Sequence, residues 1–449
     1  MTPRASRARS TPTTREPARR GVARRAGAGG LRGTLGQLGP GLITGAADDD
    51  PSGIATYSQA GAAFGYGLLW TALLCTPLMA AVQTMCARIG VVSESGLASV
   101  LRQHYARWLL WLACLLLFVG NTINIAADLG GMGAAAALLV GGGALWFVPA
   151  FAALIIVLLI VASYERMTMI FKWLALVLFA YVAAAFFAHP DWRAVAAGTF
   201  VPRLSARPDY LLMFVAILGT TISPYLFFWQ TAQNAEQEAH TPTTADQRRH
   251  PHRTMQRALG SATRDVNAGM GVSQCIMYFI ILTTGATLHI ASHPAMVQSA
   301  AEAARALRPL AGPGASVLFA LGLVGTGLLG VPVLAGSAAY ALGEAGAWRT
   351  GMDETPRTAG PFYAVMVSAM LIGMGLALAH INAMKLLLWS AVVNGLLAPP
   401  LVIIILIICN NREIMGRYRN GRTLNVLSGI VAVMMTGAAA ALVISWVRG

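Results

Sequence analysis

Between Gly41 and Gly61 the chain reads GLITGAADDDPSGIATYSQAG, so Asp48, Asp49 and Asp50 stand inside a stretch otherwise apolar enough to cross a membrane. A carboxylate in an apolar phase either holds a cation or takes up a proton. Pro51 and Gly53 follow at once. Proline lacks an N–H and clashes with the turn before it, and glycine weakens a helix further, so the segment is expected to split into two half-helices here. Carbonyls released at the split, with the Asp50 carboxylate beside them, form an oxygen-donor set suited to a hard cation. Ionisable residues within a span are functional candidates by default. Asp48 and Asp49 turn about 100° per residue off the face of Asp50 and are weaker candidates, one of which is expected to attract ions at the vestibule or to support Asp50 from behind.

A second stretch, LGTTISPYLFFWQ from Leu218 to Gln230, is expected to break in the same way around Ser223 and Pro224. Unwound backbone at membrane depth is tolerated where it lines a cavity or is buried in protein.

The elements that must position these residues are apolar helices. The 449-residue chain is 56% hydrophobic and 11% charged, with a mean hydropathy of +0.62, far from the roughly 25% charged residues of soluble domains. At about 20 apolar residues per crossing, the sequence predicts an all-α polytopic membrane protein with eleven spans near 36–66, 68–88, 108–135, 146–163, 170–188, 210–235, 266–290, 314–342, 360–380, 384–409 and 424–446. The two expected breaks fall in the first and sixth spans, corresponding members of two five-span halves that an odd number turns opposite ways. Paired interruptions at corresponding positions point to a transporter binding site. The halves run over about 35–190 and 208–410, with an extra helix at about 424–446 and a basic tail at 1–34.

Net charge is +14, and its placement encodes orientation. With the N-terminus in the cytoplasm, 25 of the 32 Lys and Arg fall in cytoplasmic segments and 7 on the other side, which the positive-inside rule favours. The C-terminus is then outside. The tail, arginine-rich with Pro3, Pro12 and Pro17, reads as a disordered segment near anionic lipid. No nucleic-acid motif accompanies the basicity. Cys75, Cys86, Cys114, Cys275 and Cys409 all lie in apolar spans without zinc spacing and read as small core residues. GLLGVPVLAG lacks the Lys-Ser/Thr of a phosphate loop, and no nucleophile–base or cofactor motif marks an enzyme. His240, His250 and His252 read as a solvated basic loop, and residues 296–310 as an amphipathic segment on the outer surface.

The stretch GPGLITGAADDDPSGIATYSQAGAAFGYG resembles the first span of the Nramp divalent-metal transporters, whose signature there is Asp-Pro-Gly-Asn. Asp50 and Pro51 match; Ser52 replaces the glycine and Gly53 the asparagine. The resemblance recurs at ILGTTISPYLFFWQTAQ, RPLAGPGASVLFALGLVGTGLLGVPVLAG and NREIMGRYRNG, and so runs from about Leu35 to Val447. It implies a LeuT-like fold of two inverted five-helix repeats with helices 1 and 6 broken, and a divalent metal as cargo in place of any cofactor.

The departures narrow what the resemblance implies. The family's site joins Asp and Asn of span one to a Met thioether and backbone carbonyls near a Met-Pro-His of span six. Here Ser223 takes the Met position and Tyr225 the His position, while Ala47 and Thr220 match the carbonyl donors. Losing the thioether removes the preference for soft metals, and Gly53 leaves room for a cation that keeps several waters, as Mg²⁺ prefers. This resembles the Nramp-related magnesium transporters. The family's second span-six histidine falls on Gln230, and its span-three Asp-Leu-x-Glu reads Asp128-Leu129-Gly130-Gly131. Neither Tyr225 nor Gln230 titrates near neutral pH, so transport is expected to proceed without protons. Asp128 is either a buried acid paired across helices, with Arg357 as partner, or a residual proton or ion site. Asn394 on span ten, like Asn121 and Asn124 on span three, either faces the cavity or bonds another helix. The alternatives are a proton-coupled Mn²⁺/Fe²⁺ importer and, in a different class, a Na⁺- or H⁺-coupled transporter of organic solutes on the same fold.

Overall fold

A computed structural model of the chain describes residues 39–161, 176–240, 250–289, 296–379 and 381–447. The basic tail lies outside them, as do 162–175 and 241–249. Every regular element among the described residues is helical. Nine helical stretches are long and apolar enough to cross a membrane, a shorter apolar one covers Leu176–Phe187, and the chain is an integral membrane protein.

The first apolar segment is two helices, α1 (Pro40–Asp48) and α2 (Pro51–Phe64). Next come α3 (Leu69–Ser93), α4 (Leu97–His104), α5 (Arg107–Val140), α6 (Ala144–Val161), α7 (Phe179–Phe187) and α8 (Trp192–Phe200). The sixth segment is also divided, into α9 (Pro208–Thr221) and α10 (Pro224–His240). Then follow α11 (Pro251–Thr287), α12 (Ala300–Ala304), α13 (Arg308–Ala311), α14 (Ala315–Ala345), α15 (Gly360–Ala377), α16 (Ala383–Asn410), α17 (Arg412–Met415) and α18 (Arg422–Val447).

Two expectations are corrected. The seventh segment starts at Pro251, so His250 and His252 sit at a helix start where a loop was expected. Residue 251 suits that start, because proline's missing N–H is an orphan at a first helical position anyway. Cys275 is exposed, whereas the other four cysteines are buried. Residues 300–311 form short helical turns leading into α14, with Ala303, Ala304, Ala306 and Leu307 buried and Arg305 and Arg308 exposed.

Close packing fixes the broken segments. A Cβ on Gly45 (α1) would overlap the Gly269 backbone (α11), and one on Gly61 (α2) would stand 2.5 Å from the Ile281 carbonyl oxygen of the same helix. Farther along, α9 meets α16, where a Cβ on Gly395 would lie 2.5 Å from the Val215 carbonyl oxygen. Gly90 of α3 faces the Thr231 carbonyl of α10 just as tightly. Small residues let helix backbones approach, which is how helices bind one another where lipid supplies no hydrophobic drive.

The start of α1 is satisfied from outside. Its cap position, Gly39, has no side chain, and Asp265 of α11 instead accepts the Gly41 N–H at 2.6 Å. Loss of such a cap typically costs about 1–2 kcal/mol. We expect Asp265→Ala to lower the thermal midpoint of the detergent-purified protein while Asp265→Asn retains most of it; identical midpoints for wild type and Ala would refute the cap.

Candidate metal site at the helix breaks

At the first break Asp49 leaves helical geometry (φ −84°, ψ 49°) and Asp50 is extended (φ −69°, ψ 172°), with Pro51 opening α2. Asp50 caps that helix: its Oδ1 accepts the Gly53 N–H at 2.8 Å. Aspartate is among the best N-caps, and an N-terminus favours negative charge. The other oxygen, Oδ2, accepts from the Tyr225 hydroxyl at 3.2 Å and from Asn124 Nδ2 at 3.5 Å.

The two prolines act alike on the carbonyls. An α-helical carbonyl bonds the N–H four residues on; for Ala47 that residue is Pro51, and for Thr220 it is Pro224. Neither has an N–H to give. The Ala47 oxygen accepts from Tyr225 Oη at 3.0 Å. The Thr220 oxygen accepts from Ser223 Oγ at 2.8 Å, and the same hydroxyl lies 2.7 Å from the Gly219 oxygen. The breaks touch: a Cβ on Gly53 would stand 3.2 Å from Thr220 Oγ1 and 3.3 Å from the Asp48 carbonyl.

Asp48, Asp49, Asp50 and Asp128 are all buried. Ser273 of α11 holds the first two, its hydroxyl 2.5 Å from Asp48 Oδ2 and 3.3 Å from Asp49 Oδ1. They therefore face α11. Asp128 of α5 approaches the same place, with Gly330 of α14 between it and Asp50: a Cβ there would lie 3.0 Å from Asp50 Cβ and 3.9 Å from Asp128 Oδ2. Neither Asp128 oxygen has a well-formed hydrogen bond among the described residues, and the polar group facing it is the Ser52 N–H. The ion pair found among those residues, Arg207–Asp209, is on the surface. Buried carboxylates without basic partners call for protons or a cation. Among the described residues no three His, Cys, Asp or Glu side chains converge as a metal cage. The donors at the breaks are instead a carboxylate, two carbonyls and a hydroxyl, all hard oxygens.

Asp50, Ala47, Thr220, Ser223, Gly53 and Tyr225 are thus brought together, and Asp128 stands beside them. Gln230 is not: its amide donates to Asn234 at 2.5 Å on α10. Asn394 is buried on α16 near Gly120 and makes no bond to the breaks. Arg357 is exposed and does not pair with Asp128, which is buried inside the protein away from surface cations. Asn121 bonds the Leu334 carbonyl and Ser337 of α14, each at 2.8 Å, leaving Asn124 as the span-three amide at the site. Ser273 and Gly330 escaped sequence reasoning. A lone Ser-Gln pair in the apolar run of α11, and the spacing Gly327–Gly330 on α14, were the signals available.

Comparison with known proteins shows the family and the fold. A sequence profile described as natural resistance-associated macrophage protein-like (Nramp) matches residues 41–445. The divalent metal cation transporter MntH of Deinococcus radiodurans is 28% identical over 91% of this chain and 90% of its own. MntH of Burkholderia ambifaria is 28% identical over 92% and 90%. A crystal structure of the Eremococcus coleocola manganese transporter, bound to an aromatic bis-isothiourea compound, superposes with a TM-score of 0.75 at 18% identity, covering 94% of this chain and 89% of that one; the fold is shared with it. With the profile spanning nearly all of the described residues, the chain belongs to the Nramp family.

Proposed function

We propose that this protein carries a divalent cation into the cell by alternating access, with Asp50 as the anionic ligand and the Ala47 and Thr220 carbonyls, the Ser223 hydroxyl and water completing the shell. The observation that carries this reading is the meeting of both breaks around Asp50, where the two prolines leave carbonyls without helical partners. The proposal includes eleven spans in two inverted repeats (about 35–190 and 208–410), the extra helix near 424–446, a cytoplasmic tail at 1–34, and an outside C-terminus. Relatives named as divalent metal cation transporters support the ion class.

Within that class Mg²⁺ is favoured alongside Mn²⁺. Every donor at the breaks is oxygen, and no thioether stands at residue 223 to reward a soft ion. Membrane potential alone drives a doubly charged ion by about 4.6 kcal/mol per 100 mV, enough for uptake without protons. Asp128 supports the second reading, proton-coupled Mn²⁺ import, because its carboxylate lies beside the site without a basic partner.

One experiment tests both. In liposomes containing the purified protein and a pH dye, Mg²⁺ and Mn²⁺ should enter in proportion to an imposed inside-negative potential, Na⁺ should not, and lumenal pH should hold. Lumenal acidification that depends on metal and vanishes in Asp128→Asn would replace the first reading by the second. Absence of divalent flux would dismiss both.

A further inference from the structure

A carrier that has delivered its ion must cross back without it. On that limb the oxygens that held a dication face one another, and their mutual repulsion opposes the compact arrangement through which the carrier must pass. Some group of positive polarity has to take the ion's place.

Two of the oxygens assigned to the ion, the Ala47 carbonyl and Asp50 Oδ2, share one contact: the Tyr225 hydroxyl, at 3.0 and 3.2 Å. A phenol carries a single proton, and here it lies between two acceptors as a three-centre bond. The side chain is buried, and it rises from the first turn of α10, so its hydroxyl reaches from beyond the second break to both sides of the first. Pro51 denies the Ala47 carbonyl its helical donor, and Asp50 Oδ1 is already bound to the Gly53 N–H. Tyr225 therefore supplies the one proton that these two oxygens share. Asn124 is a weaker substitute, touching only Oδ2 and at 3.5 Å.

We propose that the Tyr225 hydroxyl is a placeholder for the transported cation: its proton holds Asp50 and Ala47 together while the carrier returns unloaded, and turns aside when a cation arrives. The inference rests on the transport reading above and adds to it a reset step assigned to one atom. Losing the hydroxyl spares the loaded forms, in which the ion does the same job. The unloaded return is slowed, because a buried carboxylate loses one donor and a buried carbonyl has none.

Net uptake requires the unloaded return; exchange of labelled for unlabelled Mn²⁺ across the same membrane does not. In proteoliposomes Tyr225→Phe and Tyr225→Leu should lower net Mn²⁺ uptake about ten-fold or more, the effect of one hydrogen bond to a charged group, while exchange stays near the wild-type rate. Tyr225→His keeps an N–H donor and should restore the wild-type ratio of net uptake to exchange. Equilibrium binding to detergent-purified protein gives a reading independent of flux: the Phe variant should bind Mn²⁺ more tightly than wild type, since its unbound form has lost a stabilising contact. Net uptake and exchange falling together in Phe and Leu would make Tyr225 a ligand or a packing residue and overturn the proposal. An unchanged ratio, or weaker binding by Phe, would overturn it as well. A wild-type protein that exchanges no divalent cation would instead overturn the transport reading, a result seen before any variant is compared.

Discussion

Asp50→Ala is expected to reduce cation uptake to the liposome background, and Asp50→Asn to do the same while sparing the fold. The two substitutions separate two roles of one side chain. As the N-cap of α2, Asp50 accepts the Gly53 N–H through Oδ1; asparagine performs that role nearly as well, and alanine forfeits about 1 kcal/mol. As an anion it neutralises the ion, and removing one partner of a buried charge pair costs about 3–5 kcal/mol, or at least roughly a hundred-fold in occupancy. Uptake should therefore fall equally in both variants, with only Ala showing a lower thermal midpoint. Either variant moving Mg²⁺ and Mn²⁺ at the wild-type rate would remove Asp50 from the site, leaving Asp48, Asp49 and Asp128 as the carboxylates to test.

Gly330→Val should be the next most damaging change. A Cβ at this position already approaches Asp50 Cβ to 3.0 Å and the Ala47 carbonyl oxygen to 3.9 Å, so the valine methyls fall where the carboxylate and a hydrated ion need space. Inside α14 the substitution costs little in helix propensity, because glycine is itself a poor helix former. Overpacking adds about 1–3 kcal/mol of strain, which Asp50 relieves by turning away from the break. Uptake is expected to drop at least about ten-fold, with Gly330→Ala intermediate and both proteins monodisperse in detergent. Full uptake by Gly330→Val with only a lowered thermal midpoint would show that α14 does not wall the site.

How much of this was legible in the sequence depends on which residues are considered. The broken segments were readable, but not from proline alone: Pro77, Pro149, Pro332, Pro399 and Pro400 all sit inside continuous helices. At the two true breaks a short polar residue stands immediately before the proline and takes a helix-boundary role, Asp50 as an N-cap and Ser223 by bonding carbonyls of the preceding turn. Even this signal has an exception. Thr76 precedes Pro77 and bonds the Ala72 carbonyl at 2.7 Å, yet α3 runs on. The early start of α11 was invisible to hydropathy, which registers apolar length and not a helix that extends past it. At the site, Asp50 was legible from its place directly before a proline inside an apolar span, whereas Ala47, Thr220 and Ser223 were expected from the family resemblance; all four lie within four residues of a proline, a local relation. Asn124, Ser273 and Gly330 reach the same place from three other helices, and which face of one helix meets which face of another is a property of packing that linear spacing does not carry.

The glycine contacts make the two breaks mechanically unlike. Both halves of the first interrupted segment, α1 at Gly45 and α2 at Gly61, are pressed backbone to backbone against one helix, α11. The halves of the second are fastened to different ones, α9 to α16 through Gly395 and α10 to α3 through Gly90. Two arms splinted to one helix shift together, whereas arms tied to separate beams are drawn apart whenever those beams move. A displacement of α3 against α16 would therefore bear on the Ser223 break more directly than on the Asp50 break, and would alter the distance from the Thr220 carbonyl and the Tyr225 hydroxyl to the carboxylate.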